Sequence, residues 1–298
     1  MPLTDAERAR QVLASLQETA RACQSKVTAT DQRYIGDFAR EVSENLPGQW
    51  NVRVENYALP AWQDDLLSGL WATGRILFQL QHGRVSAAGI LQGETGAELA
   101  IIHDPRHSVY RIGMLAPRDM YLDETVTPPT SITVHPAAVP AARKITSGLL
   151  ADYHRAVFEM QLNHVLDDLA WAQEEFEPGT IQDPPQQDLA EAFGRFAAIA
   201  PHIITALRSN GADAFNAHEK AFLDDMDAVF GEPGPTPEIP RLSLLGMWLN
   251  NGEGLVDLAR AAARTASAQA ALGLVRAVNA PRVLPSPPPQ IGASPSRR

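Results

Sequence analysis

A helical period runs almost unbroken from about Ala141 to Phe176, and no other feature of this chain constrains its fold so strongly. Ile145, Leu149, Tyr153, Val157, Met160, Val165, Leu169 and Ala172 keep close to one stripe. A helix of about 36 residues spans roughly 50 Å at the α-helical rise, longer than an ordinary small domain is wide. It is expected to act as a spine joining two bodies, bent at Gly148 and ended by Glu177-Pro178-Gly179 and Gln182-Asp183-Pro184-Pro185.

Before the spine the pattern is mixed. Thr4 and Glu7 form a capping box for a first helix over 4–24. Thr30-Asp31 caps a second helix, which runs to about Leu46 with Tyr34, Phe38 and Val42 on one face and is stopped by Pro47-Gly48. The period then changes to two. Trp50, Val52 and Val54 alternate with Asn51, Arg53 and Glu55, as in a strand with one buried face. A single well-buried helix is expected over 62–82, from the rows Leu66, Leu70, Leu77 and Leu67, Trp71, Phe78. Three strands follow, Val85–Leu91, Ala97–Ile102 and Ser108–Leu115, separated by the turn compositions Gly93-Glu94-Thr95-Gly96 and Asp104-Pro105-Arg106. The order α-α-β-α-β-β-β implies an α+β fold, an antiparallel sheet with helices packed on one face.

Residues 117–140 hold five prolines and read as an extended connector. A connection beyond about 12–15 residues is either a functional arm or a strand laid along the domain. Beyond the spine, helices are expected at 188–209, with a kink or restart at Pro201, and at 212–230, 241–250 and 253–279, forming an all-α bundle. The expected division is 1–140 as the α+β domain with its connector, 141–280 as spine and bundle, and 281–298 as a disordered Pro/Ser/Arg-rich tail.

The net charge of −10 is unevenly placed. Residues 119–178 carry 3 basic and 10 acidic side chains, whereas 1–118 is nearly balanced with 12 and 13. Without a basic block the chain is disfavoured for general nucleic-acid binding. Its single cysteine, Cys23, rules out an intramolecular disulfide and suits a reducing cytoplasm. No apolar run approaches the roughly 18–20 residues of a membrane span.

Three constellations carry possible chemistry. His103-Asp104-Pro105-Arg106-His107 sets two imidazoles and a carboxylate in one turn, a start for a metal or proton site, but a charged hairpin turn needs the same residues. His164 and Asp168 share a helix face, with Asp224, Asp225 and Asp227 available from a later helix; a solvated acidic face explains them equally. His218-Glu219 lacks the second histidine of a zinc-protease helix, because Phe222 stands in its place. No glycine loop for phosphate and no nucleophile elbow is present, so no cofactor is implied.

The α-β-β-β-α order from 62 onward resembles that of double-stranded-RNA-binding domains, but only Arg143 and Lys144 match their basic helix start, after a connector too long for that fold. With the strand at 50–57 added, residues 30–175 resemble roadblock/longin and profilin-type modules, and loosely the acidic secretion-chaperone fold, with one strand missing before the 62–82 helix. These likenesses imply protein binding. The stretch from Trp50-Asn51-Val52-Arg53-Val54-Glu55-Asn56-Tyr57 to Leu115-Ala116-Pro117 is similar to a family of uncharacterised proteins from high-GC actinobacteria, which implies no activity.

The functional expectation is a non-enzymatic interaction or assembly subunit that self-associates or binds a protein. Its contact residues are expected among the acidic Asp167, Asp168, Glu174 and Glu175 and the basic Arg143 and Lys144. The alternatives are a metal-binding regulator or hydrolase using His103, His107, His164 and Asp168, and a nucleic-acid-associated protein of a mobile element. In the last, the acidic set mimics phosphate, or Arg143, Lys144 and the Arg297-Arg298 tail bind it.

Overall fold

The computed structural model describes residues 5–23, 34–118, 120–176, 185–211, 215–231 and 242–265. The Thr4 and Thr30-Asp31 caps, the Glu177-Pro178-Gly179 stop, the helix beyond residue 265 and the tail 281–298 lie outside these residues.

A five-stranded antiparallel meander organises the first half, in the order β1 (Trp50–Asn56), β2 (Ala87–Gly93), β3 (Glu98–Asp104), β4 (Val109–Met114) and β5 (Ile132–Val134). The register puts Val52 opposite Leu91, Leu91 opposite Leu99 and Leu99 opposite Met114, so these four share one face. Successive side chains point to opposite faces, which places Ile90, Ala100 and Ile102 on the other. β3 is apolar on both faces, and the sheet is accordingly covered on both, not on the single face expected from sequence.

On the first face, α2 (Ile35–Asn45) packs Phe38, Ala39 and Val42 against Leu99, Ile101 and Tyr110, joined by α5 (Ala138–Lys144) and the start of the spine. The Phe38 and Tyr110 rings stack at 3.8 Å. On the second face, Leu66 of α3 (Pro60–Gly69) and Ile76 and Leu80 of α4 (Arg75–His82) cover Ile90, Ala100 and Ile102. α1 (Asp5–Ala22) precedes α2 and leaves most of its described side chains exposed.

The helix expected over 62–82 is therefore two. Leu70 to Gly74 leaves the helical path to pair with other backbone: Trp71 N–H donates to the Met114 carbonyl at 3.0 Å and Thr73 N–H to the Pro129 carbonyl at 2.9 Å. Gly74 turns the chain at φ +90°, a conformation side chains disfavour. Tertiary pairing here outweighs a helical period that the sequence carries continuously.

The same strap fixes the connector. Ser131 N–H returns a bond to the Thr73 carbonyl at 2.9 Å, Val126 is buried in the first core, and β5 pairs with Tyr110 to Ile112 of β4. Residues 120–134 are thus an edge strand and its fastened approach, not a free arm, and Ala138 already opens α5.

The spine runs from α5 through a π-helical turn (Ile145–Leu149) into α6 (Leu150–Glu175). In the π-turn the Leu150 N–H reaches back to the Ile145 carbonyl, five residues away, with Gly148 in between. Leu150 to Met160 belong to the sheet core, while Phe158 to Ala172 belong to a second core. That core is formed with α7 (Gln187–Gly211), α8 (Ala217–Phe230) and α9 (Leu242–Thr265) around the fully buried Trp248, Phe193 and Phe196. α7 passes through Pro201 without a break, held by the buried Ala200, Ile203 and Ile204 around it. The expected break near residue 250 is also absent. A Cβ on Gly252 would lie 3.3 Å from Leu169 of α6 and one on Gly254 3.2 Å from Phe222 of α8, so these glycines are contact points inside one helix.

Candidate functional site

The hairpin between β3 and β4 brings together the histidine-rich turn. Asp104 is its centre, with a side chain only 7% exposed. Arg111 Nη2 donates to Asp104 Oδ2, the Arg106 N–H donates to Oδ1 at 3.1 Å, and His107 Nδ1 lies 2.8 Å from Oδ2. Burial opposes ionisation of Asp104, but the bonds from Arg111, His107 and the Arg106 amide outweigh it and lower its pKa to about 2. His103 points to the opposite face, where its ring lies 5.1 Å from Tyr110. Burial pushes the His103 imidazole below its ordinary value, against the neighbouring Asp104. The two histidines are thus held on different faces and do not converge, while the carboxylate between them is occupied by an arginine. This cluster locks a turn.

The helical acidic set is similarly committed. Arg195 of α7 grips Asp168 through Nε at 2.6 Å and Nη2 at 2.7 Å. Arg208 of α7 holds Asp224 at 2.6 Å and Asp227 at 3.0 Å. His164 is half-buried on α6, one turn from Asp168. Among the described residues no group of three or more His, Cys, Asp or Glu side chains could hold a metal ion. Asp167, Glu174 and Glu175 are exposed. So is Arg143, whereas Lys144 Nζ donates to the Thr133 carbonyl at 3.0 Å and ties the spine to β5. The basic pair and the acidic set stand at opposite ends of the spine and form no joint surface.

At the acidic junction the connector is fastened to the bundle. Asn163 of α6 donates to Asp123 at 2.5 Å and to Thr125 Oγ1 at 3.3 Å, and its carbonyl oxygen accepts from Arg260 of α9. These bonds, with those from the Thr125 hydroxyl and amide, bring the Asp123 carboxyl down to about 2.

Sequence reading missed a charged cavity of about 470 Å³ on the second face of the sheet, below α3. Arg53 and Glu55 of β1, Asp65 of α3, Glu98 of β3 and Arg118 line it, over a floor that includes Leu66 and Ile90. Glu98 is only 6% exposed in its side chain and accepts from Arg118 Nη2 at 2.6 Å. Arg53 lies 3.0 Å from Glu55, which also accepts from the Tyr57 hydroxyl at 2.8 Å. Burial first, then the Glu55 carboxylate, pushes the Tyr57 phenol well above its ordinary range. A legible signal existed: Glu98 stands directly before the apolar run Leu99 to Ile102, a position where charge demands a partner.

β1 also forms one edge of the sheet. Tyr57 N–H donates to the Ser86 carbonyl of the segment before β2, and Glu94 N–H to the Gln49 carbonyl. Antiparallel ladders alternate, so Trp50, Val52, Val54 and Asn56 turn their backbone groups outward, and no described strand pairs with them. Tyr34, which lies close to Val54, and Leu59 and Trp62, which follow β1 in the chain, are 55%, 55% and 49% exposed.

No protein-family model matches this sequence, and neither a curated protein nor a solved structure matches it. No helix among the described residues is long and apolar enough to cross a membrane.

Proposed function

We propose that this chain is a non-enzymatic protein-interaction or assembly subunit, working from its N-terminal sheet. The observation that carries the reading is the outward edge of β1, a seven-residue strand with the exposed Tyr34 close to Val54 and the exposed Leu59 and Trp62 following it in the chain. An unpaired strand edge is a template for another chain, and large apolar side chains beside it supply area that a partner covers. The carboxylates that sequence alone offered for catalysis or metal binding support the same reading, since Asp104, Asp168, Asp224 and Asp227 are each held by arginine. The acidic junction disfavours nucleic acid as the partner, and the lone Cys23 suits a reducing cytoplasm.

The test is affinity capture with purified full-length protein, read by identification of retained host proteins, alongside light scattering of the protein alone. Self-association or a stoichiometric partner is expected. A strict monomer that retains no protein, or reproducible turnover of ester, phosphoester or peptide substrates, overturns the reading.

A further inference from the structure

We propose that the partner at the β1 edge is a second copy of this chain, joined antiparallel across a two-fold axis at Val54 so that two five-stranded sheets become one. The proposal rests on the interaction reading above and gives it a register.

The backbone limits the choice. Only residues whose amides point outward can bond across the edge, so Trp50, Val52, Val54 and Asn56 must pair with one another, and the axis must pass through a residue. Centring on Arg53 or Glu55 sets like charges opposite each other. Centring on Val52 faces Arg53 with the partner's Asn51 and leaves both charges without a counterpart. Centring on Val54 bonds Val54 to the partner's Val54 and Val52 to the partner's Asn56, and it places Arg53 opposite the partner's Glu55 twice. Directly opposed residues of opposite charge stabilise a strand pair and like charges destabilise it. Edge strands usually carry charge to prevent such pairing. Here an arginine and a glutamate two residues apart make the edge complementary to itself.

The surroundings agree. Arg53 and Glu55 lie 3.0 Å apart on the second face of the sheet, with side chains 52% and 36% exposed, so both charges stay open to a partner strand that re-pairs them across the edge. A Cβ on Gly36 would meet both Tyr34 and Val54, which places the exposed Tyr34 ring beside the proposed axis. A second copy therefore covers the exposed Tyr34 ring of each chain, the same patch on both, as in isologous interfaces.

The experiment is sedimentation velocity of the full-length protein and three variants across about 1–100 μM, with circular dichroism and thermal melts as folding controls. Wild type is expected to dimerise. Arg53→Glu sets glutamates opposite each other and is expected to weaken the dimer roughly tenfold or more. Arg53→Glu with Glu55→Arg restores the pairing in this register alone. Val54→Pro removes an outward amide that the β1–β2 ladder does not use, and is expected to yield folded monomer. A dimer insensitive to these changes, or a charge swap that fails to rescue, overturns the register while leaving self-association. A wild-type monomer overturns the proposal outright. Fast hydrogen exchange at the outward amides of Trp50, Val52, Val54 and Asn56 in that monomer leaves the edge open for a different protein, whereas slow exchange at those amides means the chain covers its own edge and removes the interaction reading as well.

Discussion

Asp104→Ala tests the account of the hairpin turn most directly. The substitution leaves the Arg111 guanidinium, in a side chain only 10% exposed, without the carboxylate that its Nη2 meets. Its Nε has no hydrogen-bond partner among the described residues, so no second acceptor takes over. Breaking a buried pair from one side costs about 3–5 kcal/mol, because a charge stays buried without compensation. His107 is exposed, and its share of the loss is below about 1 kcal/mol. At about 2–4 °C per kcal/mol for a chain somewhat smaller than this one, the melting temperature falls by roughly 6–20 °C. Replacing both partners, Asp104→Leu with Arg111→Met, removes the orphaned charge and is expected to recover most of the loss. Acid gives an independent reading. The folded carboxyl titrates at about 2, below its value in an unfolded chain, so its contribution is complete above roughly pH 5 and drains away as the pH falls toward 2. Asp104→Asn flattens that part of the stability profile. Urea unfolding of Asp104→Ala, of the single variants Asp104→Leu and Arg111→Met, and of their double decides the matter. A cost under about 1 kcal/mol for Asp104→Ala, or a double variant as unstable as the singles summed, refutes the reasoning.

Arg118→Ala leaves Glu98 buried beside the cavity without its cation, and is expected to cost about 1–3 kcal/mol by chemical denaturation, the open cavity admitting water to the carboxylate. Arg118→Lys recovers part of it. Trp248→Ala removes the aromatic centre of the bundle, where Phe193 sits at 5.8 Å, and is expected to cost about 3–5 kcal/mol by thermal or urea unfolding. Asn163→Ala unties Asp123 and Thr125 from α6, so proteolysis within 120–131 is expected to accelerate while the melting temperature changes little. Unchanged cleavage there means the buried Val126 and the strap at Thr73 hold the connector alone.

The α+β fold could be read wherever one period dominated. The alternation from Trp50 to Glu55, the apolar run of β3 and the stripe of the spine each describe one environment, and each became the element it suggested. Reading failed where partners distant in sequence decided. Residues 70–74 look helical, yet they bond to β4 and to the connector, neither of which local pattern reveals. Gly252 and Gly254 look like breakers because glycine is costly in a helix, yet they sit inside one helix where Leu169 of α6 and Phe222 of α8 approach closely. β5 is too short to announce itself and exists because β4 offers it an edge. The candidate sites divide in the same way. The cluster at 103–107 was visible as a cluster, but its function as a lock depends on Arg111, which only the hairpin register brings to Asp104. The cavity joins β1, α3 and the residues after β4, and its charges carry no local spacing that groups them.

The π-turn between Ile145 and Leu149 determines where the spine can lose a residue. Each residue of an α-helix advances the face by about 100°, so a deletion within α6, at exposed Arg155 for example, swings Phe158, Leu162, Val165 and Leu169 away from α7 and α9. The π-turn already holds one residue more than an α-helical path requires. Deleting exposed Ser147 converts it to ordinary α-helix and leaves the sheet-facing and bundle-facing side chains in phase. One-residue deletions in the spine are therefore expected to be tolerated at that turn and not within α6.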